Sequence, residues 1–195
     1  MKMARSGPVI TDTSTVALGL AQIRIGESAA SIPLIEPQLS ASDSIGALAN
    51  TKYTGTVDWA VLESGFPLIE DYSVPIRQKA MLECAFKQIT PANLALANGL
   101  DPASYTLVHS GEIALGNLSA SIYVRMEARY TFPNNTNYMD IIFPRAQVAS
   151  NGEVDFQAED FSASPISIES KNASSDVTGG NAVWDAKPLG RILFT

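Results

Sequence analysis

From Leu118 to Phe132 apolar and polar residues alternate: Leu118, Ala120, Ile122, Val124, Met126, Ala128, Tyr130 and Phe132 against Ser119, Ser121, Tyr123, Arg125, Glu127, Arg129 and Thr131. A period of two is the spacing of a strand with one buried face and one wet face. The polar turn Pro133 to Asn137 follows, and Tyr138 to Val148 returns as a second strand. An antiparallel register that sets Tyr130 opposite Met139 also sets Ala128 by Ile141 and Met126 by Phe143, with Arg129 facing Asp140 on the wet side. Apolar then meets apolar and charge meets opposite charge, which specifies the register. Pro144 has no amide to give to a ladder, so a bulge or local edge is expected there.

A second organising stretch runs from Ser73 to Leu100. Ile76, Ala80, Leu82, Cys84 and Phe86 share one face of a strand, interrupted by Gln78, and the other face includes Arg77, Lys79, Glu83 and Lys87. Thr90-Pro91-Ala92-Asn93-Leu94-Ala95-Leu96-Ala97-Asn98-Gly99 then supplies a capping hydroxyl, a proline suited to the first helical position and a glycine suited to the left-handed stop, so a short helix over about 90–98 is predicted. Tyr53 to Leu62 alternates as a half-buried strand that would return through Ser64-Gly65-Phe66-Pro67 to pair with it. Further strands are expected over Val16–Gly26, Tyr105–His109, Glu153–Phe161, Ser164–Lys171 and Leu189–Phe194. Met1 to Thr13 reads as a flexible arm, and Glu27 to Asn50, rich in Ser, Ala and Pro, as a long irregular loop. The expectation is one mainly β domain over 1–195, an antiparallel β-sandwich or barrel-like fold with one short flanking helix.

Only 17% of the residues are charged, so part of the surface is expected to be covered by neighbours. A formal net charge of -7 argues against a protein that grips nucleic acid through its phosphates. Cys84, the one cysteine, sits on an apolar strand face and reads as a small buried hydrophobe. The N-terminal residues make a poor signal peptide and no run is long and apolar enough for a membrane helix, which points to a cytoplasm. There is no Walker loop, GxGxxG, GxSxG or HExxH, and His109 lacks the context of a triad, so neither an enzyme nor a cofactor is expected. Glu153, Asp155, Glu159 and Asp160 are simpler as a solvated strand face than as metal ligands, so no metal is expected. The sequons at Asn117, Asn134 and Asn172 read as chance, and Trp59 and Trp184 as core or interface anchors.

Taken in order, the early strand, the irregular Ser/Ala segment, the paired strands over Tyr53 to Ile89 and the Thr90-Pro91-Ala92-Asn93-Leu94 helix start resemble the major tail tube proteins of tailed bacteriophages. Ile141-Ile142-Phe143-Pro144-Arg145-Ala146-Gln147-Val148, the hairpin into Val154-Asp155-Phe156, and Ile166-Ser167-Ile168-Glu169 are similar too, and the likeness covers most of Ala47 to Ser170. The resemblance implies a structural virion protein in the tail, assembled in the host cytoplasm. Its subunits would form homohexameric rings that stack into a tube, with DNA only in transit through the bore and no membrane. Implied partners are further copies, the tail terminator, the tape measure, baseplate or tip proteins, and a sheath if the tail contracts. The alternatives are a tube of a bacterial secretion system and, from another class, a β-sandwich carbohydrate-binding module that would use Trp59 and Trp184. The polar strand faces make Asp58, Arg77, Lys79, Glu83, Lys87, Arg125, Glu127, Arg129 and Asp140 the candidates to line the bore, with a field that is negative or near neutral. Glu27 to Asn50 and the arm are expected to be mobile in a free subunit and ordered between rings.

Overall fold

The computed structural model describes residues 19, 21–28, 33–64, 69–104, 112–113, 122–133, 135–149, 153–154, 156 and 162–195. Seven strands form one antiparallel sheet: β1 (Gln22–Glu27), β2 (Leu48–Ser64), β3 (Ile69–Phe86), β4 (Val124–Thr131), β5 (Tyr138–Val148), β6 (Ser164–Ser170) and β7 (Arg191–Phe194). Their order is β1-β4-β5-β6-β3-β2, and β7 pairs with β5 as well. β5 therefore divides its second edge, giving residues Met139 to Ile142 to β7 and Ala146 to Val148 to β6.

The β4–β5 register is the one expected, Tyr130 with Met139, Ala128 with Ile141, Met126 with Phe143 and Arg129 with Asp140. Between Phe143 and Ala146 two residues of β5 stand against Arg125 alone, which is the bulge required at Pro144. The helix α1 spans Pro91–Ala97; the Thr90 hydroxyl accepts the Asn93 amide at 3.2 Å. Gly99 ends it at φ +72°, a conformation that a side chain disfavours.

The sheet curls until its two edge strands approach each other. The Ala21 amide lies 3.4 Å from the Thr51 hydroxyl, the Ile45 amide donates to the Ile23 carbonyl, and the Lys87 amide donates to the Ala47 carbonyl. Residues 44–47 thus tie β1 to the end of β3. Inside the curl lie Ile23, Leu82, Phe86, Met126, Phe143, Ile166 and Ile168, and Leu96 and Ala97 of α1 join them. Asn93 anchors α1 there by donating to the carbonyls of Ile45 and Gln88 at 2.9 and 2.7 Å. Burial of Cys84 pushes its thiol up to about 12, so it serves as a small hydrophobe.

The outer face of β4 and β5 is covered as well. Ile142 packs with Ala173 and Trp184 from the 172–190 loop, and Ile35 lies against them. This corrects the expectation that the second face of these strands is wet. Residues 33–40 form a strap across that face. The Arg125 guanidinium donates to the Leu34 and Glu36 carbonyls, both at 2.7 Å, and to Glu127 at 2.7 Å. The Glu127 carboxylate in turn accepts the Gln38 amide at 2.9 and 3.1 Å and the Leu39 amide at 2.9 Å. Gly26 lets the strap come close, because a Cβ there would strike Leu39. A segment with no ladder partner must still satisfy its backbone groups, and a guanidinium beside a carboxylate supplies donors and acceptors together. The part of the irregular Glu27–Asn50 segment over 33–40 is therefore fastened within the subunit, not held in reserve for a neighbour.

Candidate assembly surface

β2 and β3 are far longer than the rest of the sheet. β3 pairs with β6 only from Met81 to Phe86, so Ile69 to Ala80 have β2 alone as a ladder partner among the described residues. At about 3.3 Å per residue this two-stranded ribbon extends about 35 Å past the sheet. An isolated hairpin is marginal in water, and this one is not protected by polarity.

Alternation continues the core face outward along β2 as Tyr53, Val57, Trp59 and Val61, with Ile76 on β3. Trp59 is 56% and Ile76 67% exposed. The sequence pattern had assigned these residues to a buried face; the alternation is present, but no second layer lies over it. The other face is polar near the body, where Asp58 sits opposite Arg77, and turns apolar at the tip, where Ala60 pairs with Val74 and Leu62 with Tyr72. Leu62 and Tyr72 are 61% and 64% exposed. Beside the ribbon, Ile192 and Phe194 of β7 extend the uncovered apolar surface.

The nine residues singled out for a bore divide into two groups. Asp58, Arg77, Lys79, Glu83 and Lys87 are exposed on the ribbon or at its root. Asp58 and Arg77 are 4.0 Å apart, and Glu83 meets Lys52 at 3.3 Å. Arg125, Glu127 and Asp140 are instead buried, at 0%, 2% and 2% exposure, and Arg129 is bound to Asp140 at 2.7 and 2.8 Å. That hydrogen bond raises the Arg129 pKa above its ordinary value, and the guanidinium also lies 4.7 Å from the Tyr138 ring. Arg125 and Glu127 face the strap, which removes them from any wet wall of the subunit. The exposed remainder is three bases against two acids, near balance.

Trp184 is fully buried, so the pair of indoles that a sugar platform would need is not available. No group of three or more His, Cys, Asp or Glu side chains able to hold a metal occurs among the described residues, and no described helix is long and apolar enough to cross a membrane. His109, the strand expected at Tyr105–His109, Asn117, Asn134, Asp155, Glu159, Asp160 and the arm before Thr13 lie outside the described residues.

No family model matches the chain, and no curated protein does. Among solved structures it is similar to a chain in the tail of an empty GTA particle with C6 symmetry, at 12% identity and a TM-score of 0.40 over 90% of this chain and 95% of that one. It is also similar to a chain of an extracellular contractile injection system, the PVC sheath-tube complex in its extended state, at 9% identity and a TM-score of 0.47 over 97% and 99%.

Proposed function

We propose that this chain is a structural subunit that joins copies of itself into a tube. The observation that supports this reading is the β2–β3 ribbon. Its outer β2 edge and the β3 edge over Ile69–Ala80 have no ladder partner among the described residues, and its tip is apolar on both faces. A long, flat, apolar edge is a template for further strands, and natural monomers avoid one. Strands of neighbouring copies added on both sides would close a barrel of ribbons, the arrangement that the resemblance to tail tube proteins implies. Covering Trp59, Leu62, Tyr72 and Ile76 contributes on the order of 1 kcal/mol or more each.

In the finer form of the proposal the copies make hexameric rings that stack, DNA passes through the bore, and the polar ribbon face with Asp58, Arg77, Lys79, Glu83 and Lys87 lines it. Near-balanced charge there leaves phosphates little to hold, so DNA moves without sticking. A secretion-system tube would use the same geometry, and tape-measure and sheath genes beside this one distinguish the two. Electron microscopy of the purified chain tests the whole reading. Rings or tubes with a central hole are expected; a protein that stays monomeric at high concentration refutes it.

A further inference from the structure

The chain carries an unfilled groove at the end of the molecule opposite the ribbon tip. The registers place it: Glu27 pairs with Val124, Val124 with Ala146, and Phe86 with Ser164, so the ends of β1, β5 and β3 and the start of β4 gather at one pole with α1. At that pole lies a groove of about 1080 Å³. Its floor is Ile25, Ile45, Leu96 and Val124, and Ala92 of α1 and Thr178 stand on its lips. β2 and β3 run from this pole to the tip at the other.

We propose that this groove is the receptor for the ribbon tip of a second copy, seating Trp59, Val61, Leu62 and Tyr72 against the apolar floor. The inference rests on the tube reading and names the partner surface that the reading leaves open. Tip and groove belong to one chain but lie at opposite poles, so no copy satisfies both by itself, and each joint leaves a free tip and a free groove. Such a contact is heterologous and propagates along an axis instead of closing into a pair. The tip offers on the order of 500 Å² of apolar surface, less than the about 800 Å² each partner brings to a stable standard interface. One joint is thus too weak to hold two copies, and growth needs several joints made at once by copies already associated side by side.

The charges make a distinguishing signature. Glu63 is near the tip, and the groove is bordered by Glu27, Asp43 and Asp101 against Arg145, whose guanidinium lies 3.9 Å from the Tyr123 ring. Acid approaches a mainly acidic rim, so added salt screens the repulsion and strengthens the joint, the opposite of an ion-paired contact.

The test is sedimentation velocity with negative-stain imaging of the full chain across concentration and salt. Leu62→Asp with Tyr72→Asp disables the tip, and Ala92→Trp or, on an exposed loop, Thr178→Trp fills the groove. Each variant alone should raise the concentration needed for axial growth at least about tenfold. A tip variant mixed with a groove variant should give paired assemblies that stop, because one competent tip meets one competent groove. In a Cys84→Ala background, Leu62→Cys with Thr178→Cys should form intermolecular disulfide ladders on oxidation. A wild type that never assembles refutes the tube reading and this one together. Wild-type tubes, with groove variants that grow normally or a cysteine pair that gives no ladder, overturn the groove alone.

Discussion

Replacing Glu127 by Ala tests the strap directly. The substitution removes the acceptor of the Gln38 and Leu39 amides and the partner of Arg125, whose side chain is 0% exposed. Breaking a buried ion pair by deleting one member costs about 3–5 kcal/mol, and each orphaned amide about 1–3 kcal/mol where water cannot reach it. The strap can lift to hydrate its amides, so the lower figure, about 3–5 kcal/mol in all, is expected. For a chain of this size 1 kcal/mol moves Tm by roughly 2–4 °C, so a fall of about 6–20 °C should appear by circular dichroism. Arg125→Met with Glu127→Leu should cost less than the two single changes added together, because no charge is left stranded. Limited proteolysis should cut the single variant first within 33–40. A Tm change under about 2 °C, or strict additivity of the double variant, refutes the account of the strap as fastened by this pair.

Trp59 is exposed and Trp184 buried, so in a Trp184→Phe variant the emission should shift to shorter wavelengths as copies assemble; an unchanged spectrum in formed tubes places the ribbon outside the interface. Asp58→Lys with Glu83→Lys should change subunit stability by less than about 1 kcal/mol, since exposed ion pairs contribute little. In tubes the same pair should retard DNA passage, with relief as salt rises, and passage at the wild-type rate removes that face from the bore. Cys84 keeps its proton in the fold up to about 12 against 9.0 unfolded, so its contribution to stability is fully present below pH 9 and is lost as pH rises toward 12. Urea unfolding of wild type against Cys84→Ala should show the difference falling by about 1.4 kcal/mol per pH unit in that window; a flat difference refutes it.

The register of β4 on β5 was legible because side-chain alternation and one charge pair agreed on a single alignment, and the helix because start and stop signals coincided. What alternation does not encode is whether anything lies over a face. Tyr53, Val57, Trp59 and Val61 have the pattern of a core strand, yet their cover is not in the subunit. Arg125 and Glu127 have the pattern of a solvated face, yet the strap lies on them. A signal was present for the second case: Ile141, Ile142 and Phe143 are apolar at consecutive positions, which requires both faces of β5 to be covered. The strap itself left no side-chain signal, because its contacts with Arg125 and Glu127 are made through backbone groups that any sequence carries.

The late arrival of β6 sets a timing problem during synthesis. Phe86 pairs with Ser164, so the ribbon leaves the ribosome well before the strand that anchors its root. At about 5–20 residues per second that interval lasts roughly 4–16 s, with an apolar hairpin displayed on every nascent chain of a polysome. Register shifts between Asp58 and Trp59 and between Leu62 and Glu63 bend the strand near its tip and interrupt a straight pairing edge. The irregularities that shape the mature ribbon thus also keep adjacent unfinished chains from zipping together before each has a body to attach it to.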